Sequence, residues 1–355
     1  MIVQKIKASL NRLSIVPSKS AQIPPLTWIL ADADKTGTIK QAQGFAKMLG
    51  LSAEIFFIKK TPSCFLLPRR LWPLHKLKTQ NGCALNPPWP DLVIAAGSAA
   101  TAAGFALKKI QKDKTVVVSL MNPRLPLEGF DIIIAPKHDG LQGKNLVETH
   151  LSPHTLTRET LLKAQHQWRE RFKELPYPRI GVLLGGKTRG FSFSKSFTEK
   201  LTQTLRRLAQ QTGGSLLITP SRRTPLHAKT IMPSRLLQTP HFFWDGQKDN
   251  PYEGILASAD YLIATGDSTQ ILSEAAMTEA PLYVYPTPST PDKIKHFQNF
   301  LYAKNIARPL HNTLSFWLRP AYHEKEKTLQ NFLALLEQKK PHLAHYILQN
   351  DNPPT

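Results

Sequence analysis

Cysteine is nearly absent: the 355-residue sequence holds two, Cys64 and Cys83. Two thiols cannot complete a structural metal site and give no disulfide framework, so a reducing compartment is the default and no metal is expected. Apolar runs long enough to cross a bilayer are missing, and so is the apolar core of a secretory signal. Acids are scarce beside bases: 25 Asp and Glu face 46 Lys and Arg, for a formal charge of +21. That excess calls for an anionic partner, without choosing between a phosphorylated metabolite, a membrane surface and nucleic acid. Nucleic acid is the weakest of these, because the basic residues are scattered and no reader motif accompanies them. What the chain does have is 41% hydrophobic residues, enough for full cores and, at this length, for two domains.

Residues 1–20 form a basic tail with Lys5, Lys7, Arg12 and Lys19 and no acid. Ile2, Ile6, Leu10 and Leu13 recur at near-helical spacing, so an interfacial helix or a transit peptide stands beside a plain solvated tail. A βα unit follows, with a strand at Leu26–Ala31, a loop through Asp32, Asp34 and Gly37, and a helix ending at Gly50. Asp32 and Asp34 fit a D-x-D metal motif or, more simply, helix caps and loop formers. Strands at 53–58, 91–96, 115–120 and 130–135 alternate with helices, which predicts a parallel sheet. Between the first two of these, Lys59, Lys60, Arg69, Arg70, Lys76 and Lys78 interleave with Phe65, Leu66, Leu67, Leu71 and Trp72. That mixture fits an anionic membrane, a lipid-linked acceptor or single-stranded nucleic acid, or a loop packed on the sheet. His138 beside Asp139 ends the last strand and is a candidate base.

A proline cluster, Pro176-Tyr177-Pro178, marks the boundary between domains at 21–174 and 175–320. The βα rhythm then restarts with strands at 180–184, 216–219, 241–244, 261–264 and 282–285, and the last clear helix is 328–339. Gly181–Thr188 reads GVLLGGKT, a literal P-loop pattern. In a P-loop the strand precedes the first Gly, whereas here Val182–Leu184 are the strand itself, so the motif cannot wrap a phosphate. Three strand ends nonetheless carry ligand-type residues: Gly185, Gly186, Lys187 and Arg189; Ser221, Arg222, Arg223 and Thr224; and Thr265, Gly266, Asp267 and Ser268. Parallel strands bring these ends to one edge. Backbone amides, the arginines and a helix starting at Thr269 would hold a diphosphate. Gln270, Ser273, Glu274 and Met277 share one helix face, and Glu274 would accept from ribose hydroxyls.

The blocks SRRTP at 221–225, NPY at 250–252 and TGDSTQILSEA at 265–275 resemble the signatures of the ELM-type mitochondrial fission family, as does PRLPLEGFDIIIAPKHD at 123–139. The likeness runs from about Trp28 to Tyr285. That family is similar to the GT-B glycosyltransferases, which implies two Rossmann-like domains facing across a cleft, with the C-terminal segment 321–355 packing back on the first. The resemblance also implies that Ser268 and Thr269 meet a diphosphate and Glu274 a ribose, with Asn250 and Tyr252 nearby. The first-domain loop departs from the family pattern. Gly37 and Gln41 match, but Thr38 stands where an acid/base residue is expected, and its hydroxyl does not ionise near neutrality. Asp34, His138 or Asp139 would have to serve, or the site binds without catalysing. The expectation is a metal-independent transferase using a nucleotide-sugar donor and an envelope or lipid-linked acceptor. The alternative is a non-catalytic adaptor that recruits a partner to a membrane. Either would work in the cytoplasm, peripherally on the inner face of a membrane.

Overall fold

The computed structural model describes residues 23–33, 36–60, 64, 67–152, 154, 156–188, 190–319, 321–322 and 324–350. The predicted tail lies outside them, as do Asp34, Phe65, Leu66 and Arg189. The first half contains β1 (Thr27–Asp32), α1 (Thr36–Met48), β2 (Glu54–Lys60), β3 (Leu77–Thr79), β4 (Leu92–Ala96), α2 (Ser98–Gln111), β5 (Val116–Leu120), β6 (Ile132–Pro136) and β7 (Leu146–Thr149). Its sheet runs β3-β2-β1-β4-β5-β6-β7, parallel except at the β2–β3 edge. The second half contains α3 (Arg158–Phe172), β8 (Arg179–Leu184), α4 (Lys195–Thr212), β9 (Ser215–Pro220), α5 (Leu226–Arg235), β10 (His241–Phe243), α6 (Tyr252–Ser258), β11 (Tyr261–Thr265), α7 (Thr269–Ala276), β12 (Leu282–Tyr285), α8 (Asp292–Ala303) and β13 (Ala307–Pro309). Its strands are all parallel, in the order β10-β9-β8-β11-β12-β13.

The central strands are buried along their whole length and mostly apolar because helices cover both faces of each sheet. All five residues of β4, β5 and β6 are buried, as are all six of β8 and β9. One device recurs at the opposite ends of these strands. Asp91, Asp131 and Asp260 each immediately precede a strand, and each accepts a backbone N–H from the start of the neighbouring strand. The donors are Leu26 at 3.1 Å, Val117 at 2.8 Å and Arg179 at 2.6 Å. A carboxylate thereby satisfies a donor that the ladder leaves unpaired.

Two helices follow the second sheet, α9 (Lys325–Lys339) and α10 (Pro341–Asn350), and both return to the first core. Leu329, Phe332, Leu336, Leu343 and Ile347 are buried in one cluster with Ile29, Phe45, Leu92, Val118 and Ile134. The rings of Phe45 and Phe332 meet edge to face at 5.1 Å. Helix α3 precedes the proline cluster yet belongs to the second core: Trp168 and Phe172 are buried with Leu183, Leu217 and Ile255. Gly254 in α6 is required there, since a Cβ would come within 2.4 Å of the Trp168 ring. The prolines at 176 and 178 therefore mark a turn into β8, while the change of core falls before α3.

Candidate functional site

The three strand ends of the second half converge as their parallel order requires. Asp267, 5% exposed, links them: its carboxylate accepts the Gly186 N–H at 2.9 Å and the Thr265 hydroxyl at 2.7 Å, and it pairs with Arg223 at 3.4 Å. The Thr265 hydroxyl oxygen accepts the Gly185 N–H at 2.8 Å. The hydroxyls of Ser221 and Thr224 both donate to the Gly185 carbonyl. The N–H of Lys187 donates to the Arg223 carbonyl at 3.0 Å, and an Arg223 guanidinium N–H donates to the Lys187 carbonyl at 3.2 Å.

This geometry corrects part of the sequence reading. The amides of Gly185, Gly186 and Lys187 are occupied within the protein. The two glycines admit close neighbours of their own chain: a Cβ would come within 2.2 Å of the Asp267 carboxylate at Gly185, and within 2.2 Å of the Arg223 backbone at Gly186. Gly266 is held the same way, its N–H on the Tyr285 carbonyl and its carbonyl on Gln298 Nε2 at 2.7 Å. Ser273 is fully buried; its hydroxyl donates to the Thr269 carbonyl and accepts the Ser152 N–H at 3.0 Å. Gly185, Gly186, Thr265, Gly266, Asp267 and Ser273 thus form the wall behind the site.

In front of that wall stand the exposed side chains of Lys187, Arg222, Arg223 and Asn250, and the partly exposed Thr269, Gln270, Tyr252 and Glu274. Ser268 is the N-cap of α7, its hydroxyl accepting the Ile271 N–H at 3.4 Å. Asn250 caps the start of α6, its Oδ1 accepting the Tyr252 N–H at 3.0 Å. One turn into α7, Glu274 accepts from the Tyr252 hydroxyl at 2.5 Å and from Gln270 Nε2 at 2.8 Å. Burial pushes the Glu274 carboxyl above the usual range, against the lowering effect of those two hydrogen bonds. Gln270 Oε1 in turn accepts from Gln41 Nε2 of α1 at 2.7 Å. A hydrogen-bonded line therefore runs from the first half to Glu274. Gly37 lies in the first turn of α1.

Sequence reasoning missed Arg319, which is 5% exposed. Its guanidinium donates to the carbonyls of Ala275, Ala276 and Ala280 at the far end of α7, at 3.0, 3.2 and 2.9 Å. A buried cation on the negative end of the helix complements its dipole, and burial lowers the arginine pKa to about 10. Nothing around Arg319 in the sequence signals this partner.

The candidate bases fare differently. His138 packs its ring on Phe297 of α8, with centroids 5.2 Å apart, and its Nε2 is buried without a partner among the described residues. Burial first, and then nearby Lys293, lower its pKa to about 4. The Asp139 side chain is 2% exposed and ion-paired with Lys293 of α8. Both residues are drawn into the contact between the halves, against Phe297 and Lys293 of α8. Asp34 lies outside the described residues. Asp32, the other member of the D-x-D pair, caps a helix: its carboxylate accepts the N–H groups of Ser98, Ala99 and Ala100 at 2.8, 2.8 and 3.0 Å.

Comparison with known proteins places this architecture. A family model described as mitochondrial fission ELM1 matches residues 36–332. The mitochondrial fission protein ELM1 of Arabidopsis thaliana is 28% identical over 243 residues, which are 62% of this chain and 57% of that protein. An uncharacterised protein of Rickettsia prowazekii (strain Madrid E) is 28% identical over 330 residues, 81% of this chain and 91% of that one. Among solved structures, the UDP-GlcNAc 2-epimerase of Methanocaldococcus jannaschii, in complex with UDP-GlcNAc and UDP, superposes with a TM-score of 0.52 at 10% identity, covering 88% of this chain and 99% of that one. MurG of Acinetobacter baumannii gives a TM-score of 0.48 at 14% identity, over 92% and 95%. The fold is of the GT-B type, and the chain belongs to the mitochondrial fission ELM1 family.

Proposed function

We propose that the second half binds a nucleoside diphosphate sugar, as a metal-independent glycosyltransferase of this fold would. The observation that carries this reading is the arrangement around α7: an N-terminus capped by the Ser268 hydroxyl, Arg223 held next to it on Asp267 with exposed Arg222 before it in the β9 loop, and Glu274 one turn down. A helix start and two guanidinium groups suit a diphosphate. They also stabilise the charge that develops as the nucleoside diphosphate leaves an anomeric carbon. Glu274, with spare acceptor capacity on each oxygen, suits the ribose hydroxyls. Charge neutralisation of this kind calls for no metal. The basic composition favours an envelope or lipid-linked acceptor.

A second reading, binding without turnover, draws support from the acceptor side. Thr38 cannot serve as a base, the His138 ring packs on Phe297, and Asp139 is ion-paired with Lys293. The chain would then be an adaptor that recruits a partner, in keeping with the fission role in the plant relative's name.

The test is calorimetric titration with the sugars of UDP, GDP, ADP and CMP, on the wild type and on Glu274→Ala. One nucleotide should bind, and Glu274→Ala should weaken it by about tenfold or more, the worth of hydrogen bonds to a charged group. If nothing binds at millimolar concentration, both the donor site and the transferase fail. Binding without release of free nucleoside diphosphate, whatever acceptor is supplied, favours the adaptor.

A further inference from the structure

The surface beside α2 has a character that the nucleotide reading does not use. The segment from Arg69 to Lys76 lies along α2, tied at one end by Arg69, which donates to the Ser98 carbonyl at 2.8 Å. At the same end of the segment, Lys109 Nζ from the last turn of α2 donates to the Arg70 carbonyl at 2.9 Å and sits 4.6 Å above the Phe105 ring. Between segment and helix is a groove of about 490 Å³ lined by Arg70, Leu71, Trp72, Leu85, Lys109 and Ile110, among others. Its lining contains no Asp or Glu. Leu71 and Ile110 at its rim are 53% and 56% exposed, and Leu67 nearby is 42% exposed. Arg70, His75 and Lys109 of the lining are exposed beside them, and exposed Lys112 and Lys114 follow the end of α2 with Asp113 between.

We propose that this groove and its rim are a membrane-docking surface for anionic lipid. Leu71 and Ile110 would enter the acyl boundary while Arg70 and Lys109 remain at the headgroups. Aliphatic tips ringed by cations match an interface that is apolar beneath and negatively charged above. Lysine suits the ring because its stem lies along apolar surface while its ammonium reaches the wet layer. Nucleic acid fits less well. A stacking platform needs a row of open aromatic faces, whereas Trp72 of the lining is 6% exposed with its indole N–H committed to the Leu67 carbonyl at 2.8 Å, which leaves the single imidazole of His75. The groove takes its cations from both the loop and the helix. The two are fixed to each other by Arg69 and Lys109, so the surface exists before any lipid arrives. This surface shares no residue with the nucleotide site, and either can fail without the other.

The experiment is co-sedimentation of the full chain with phosphatidylcholine vesicles, with and without phosphatidylglycerol, at low and high salt. A net charge of +21 could by itself bring the chain to anionic vesicles, so the decisive arm is apolar. Leu71→Glu with Ile110→Glu is compared with Leu162→Glu and Leu237→Glu, which change two other leucines that are 57% and 82% exposed. The wild type should sediment with the anionic vesicles only, and less at high salt. The groove pair should lower partitioning about tenfold or more, the worth of two half-buried aliphatic side chains, while the control pair leaves it within about twofold. Leu71→Ser with Ile110→Ser repeats the arm if the Glu pair does not fold. Equal losses in the two pairs, no loss in the groove pair, or a wild type that stays in the supernatant would each overturn the proposal. So would retention of random-sequence DNA that the groove pair abolishes.

Discussion

The two halves each place an aspartate at the end of a central strand, close to a helix start, and they use it in opposite ways. In the first half, Asp32 at the end of β1 turns into the start of α2 and takes three of its N–H groups. Gly97 makes room: its φ of 111° is open to glycine, and a Cβ would come within 2.6 Å of the carboxylate. An internal anion occupies the place where a ligand phosphate would sit. In the second half, Asp267 turns back towards Gly186, Thr265 and Arg223 and leaves the start of α7 to the Ser268 hydroxyl. One helix start is sealed by a carboxylate of its own chain and the other is capped by a neutral hydroxyl. This difference, more than any single motif, points the ligand reading at the second half.

The comparison is broken most severely by removing the carboxylates. Asp32→Ala leaves three amides of α2, two of them buried, without their anion and should lower stability by about 3 kcal/mol, measured by urea unfolding. Nucleotide binding by the folded fraction should be unchanged. Asp267→Ala should cost somewhat less, about 2 kcal/mol, since its amide, hydroxyl and arginine partners include one exposed group. It should also weaken nucleotide binding, because Arg223 and Lys187 lose the wall that holds them. If Asp32→Ala abolishes binding while Asp267→Ala leaves it intact, the assignment of the two halves is inverted.

Much of this was legible in the chain. The apolar runs after Asp91, Asp131 and Asp260 announce strands, and the same aspartates turn out to be the strand-start acceptors. The mismatch of GVLLGGKT with a P-loop follows from the apolar Val182, Leu183 and Leu184 alone. The strands β3, β7 and β13 were not legible: three or four residues at a sheet edge carry no period, and they lack the aromatic run, Phe242-Phe243-Trp244, that announced the equally short edge strand β10. Helix α8 was missed although Phe297, Phe300 and Leu301 recur at helical spacing and pack in the second core. Helix α10 was missed although its Leu343, Ala344 and Ile347 are buried in the first core. At the site, identity was easier to read than orientation. Asp267 and Gly185 were picked out, but which way a carboxylate turns depends on Gly186 and Arg223 in other loops. His138 looked like a base because Phe297 and Lys293, which bury it and lower its pKa, are distant in sequence.

That burial gives a milder test of the contact between the halves. The His138 pKa is about 4 in the fold against 6.5 for the free side chain, so the neutral ring is the form the fold accepts. The stability this represents is present above pH 6.5 and is lost as pH falls towards 4. After discount for the exposed part of the ring, the loss should be about 1–2 kcal/mol, read as a falling melting temperature across that interval. Glu and Asp groups that titrate nearby contribute below pH 5, so the comparison is with His138→Gln, whose profile should be flatter between pH 6.5 and 5. Identical profiles would mean that the ring is not held neutral against Phe297.

The smallest effect tests the line that joins the halves. Gln41 donates to Gln270, which donates to Glu274, while Gln41 Oε1 is buried without a partner among the described residues. Gln41→Ala removes one hydrogen bond and one orphaned acceptor together, so the two contributions offset and stability should change by less than about 1 kcal/mol. Nucleotide affinity should respond more than stability does, because Gln270 then lacks the Gln41 bond that helps to orient it against Glu274. A twofold to fivefold weakening is expected, on the order of 0.5–1 kcal/mol, with no change in the urea midpoint. A loss as large as that of Asp267→Ala would mean that the first half helps to build the nucleotide site. Unchanged affinity would confine the line to holding the halves together.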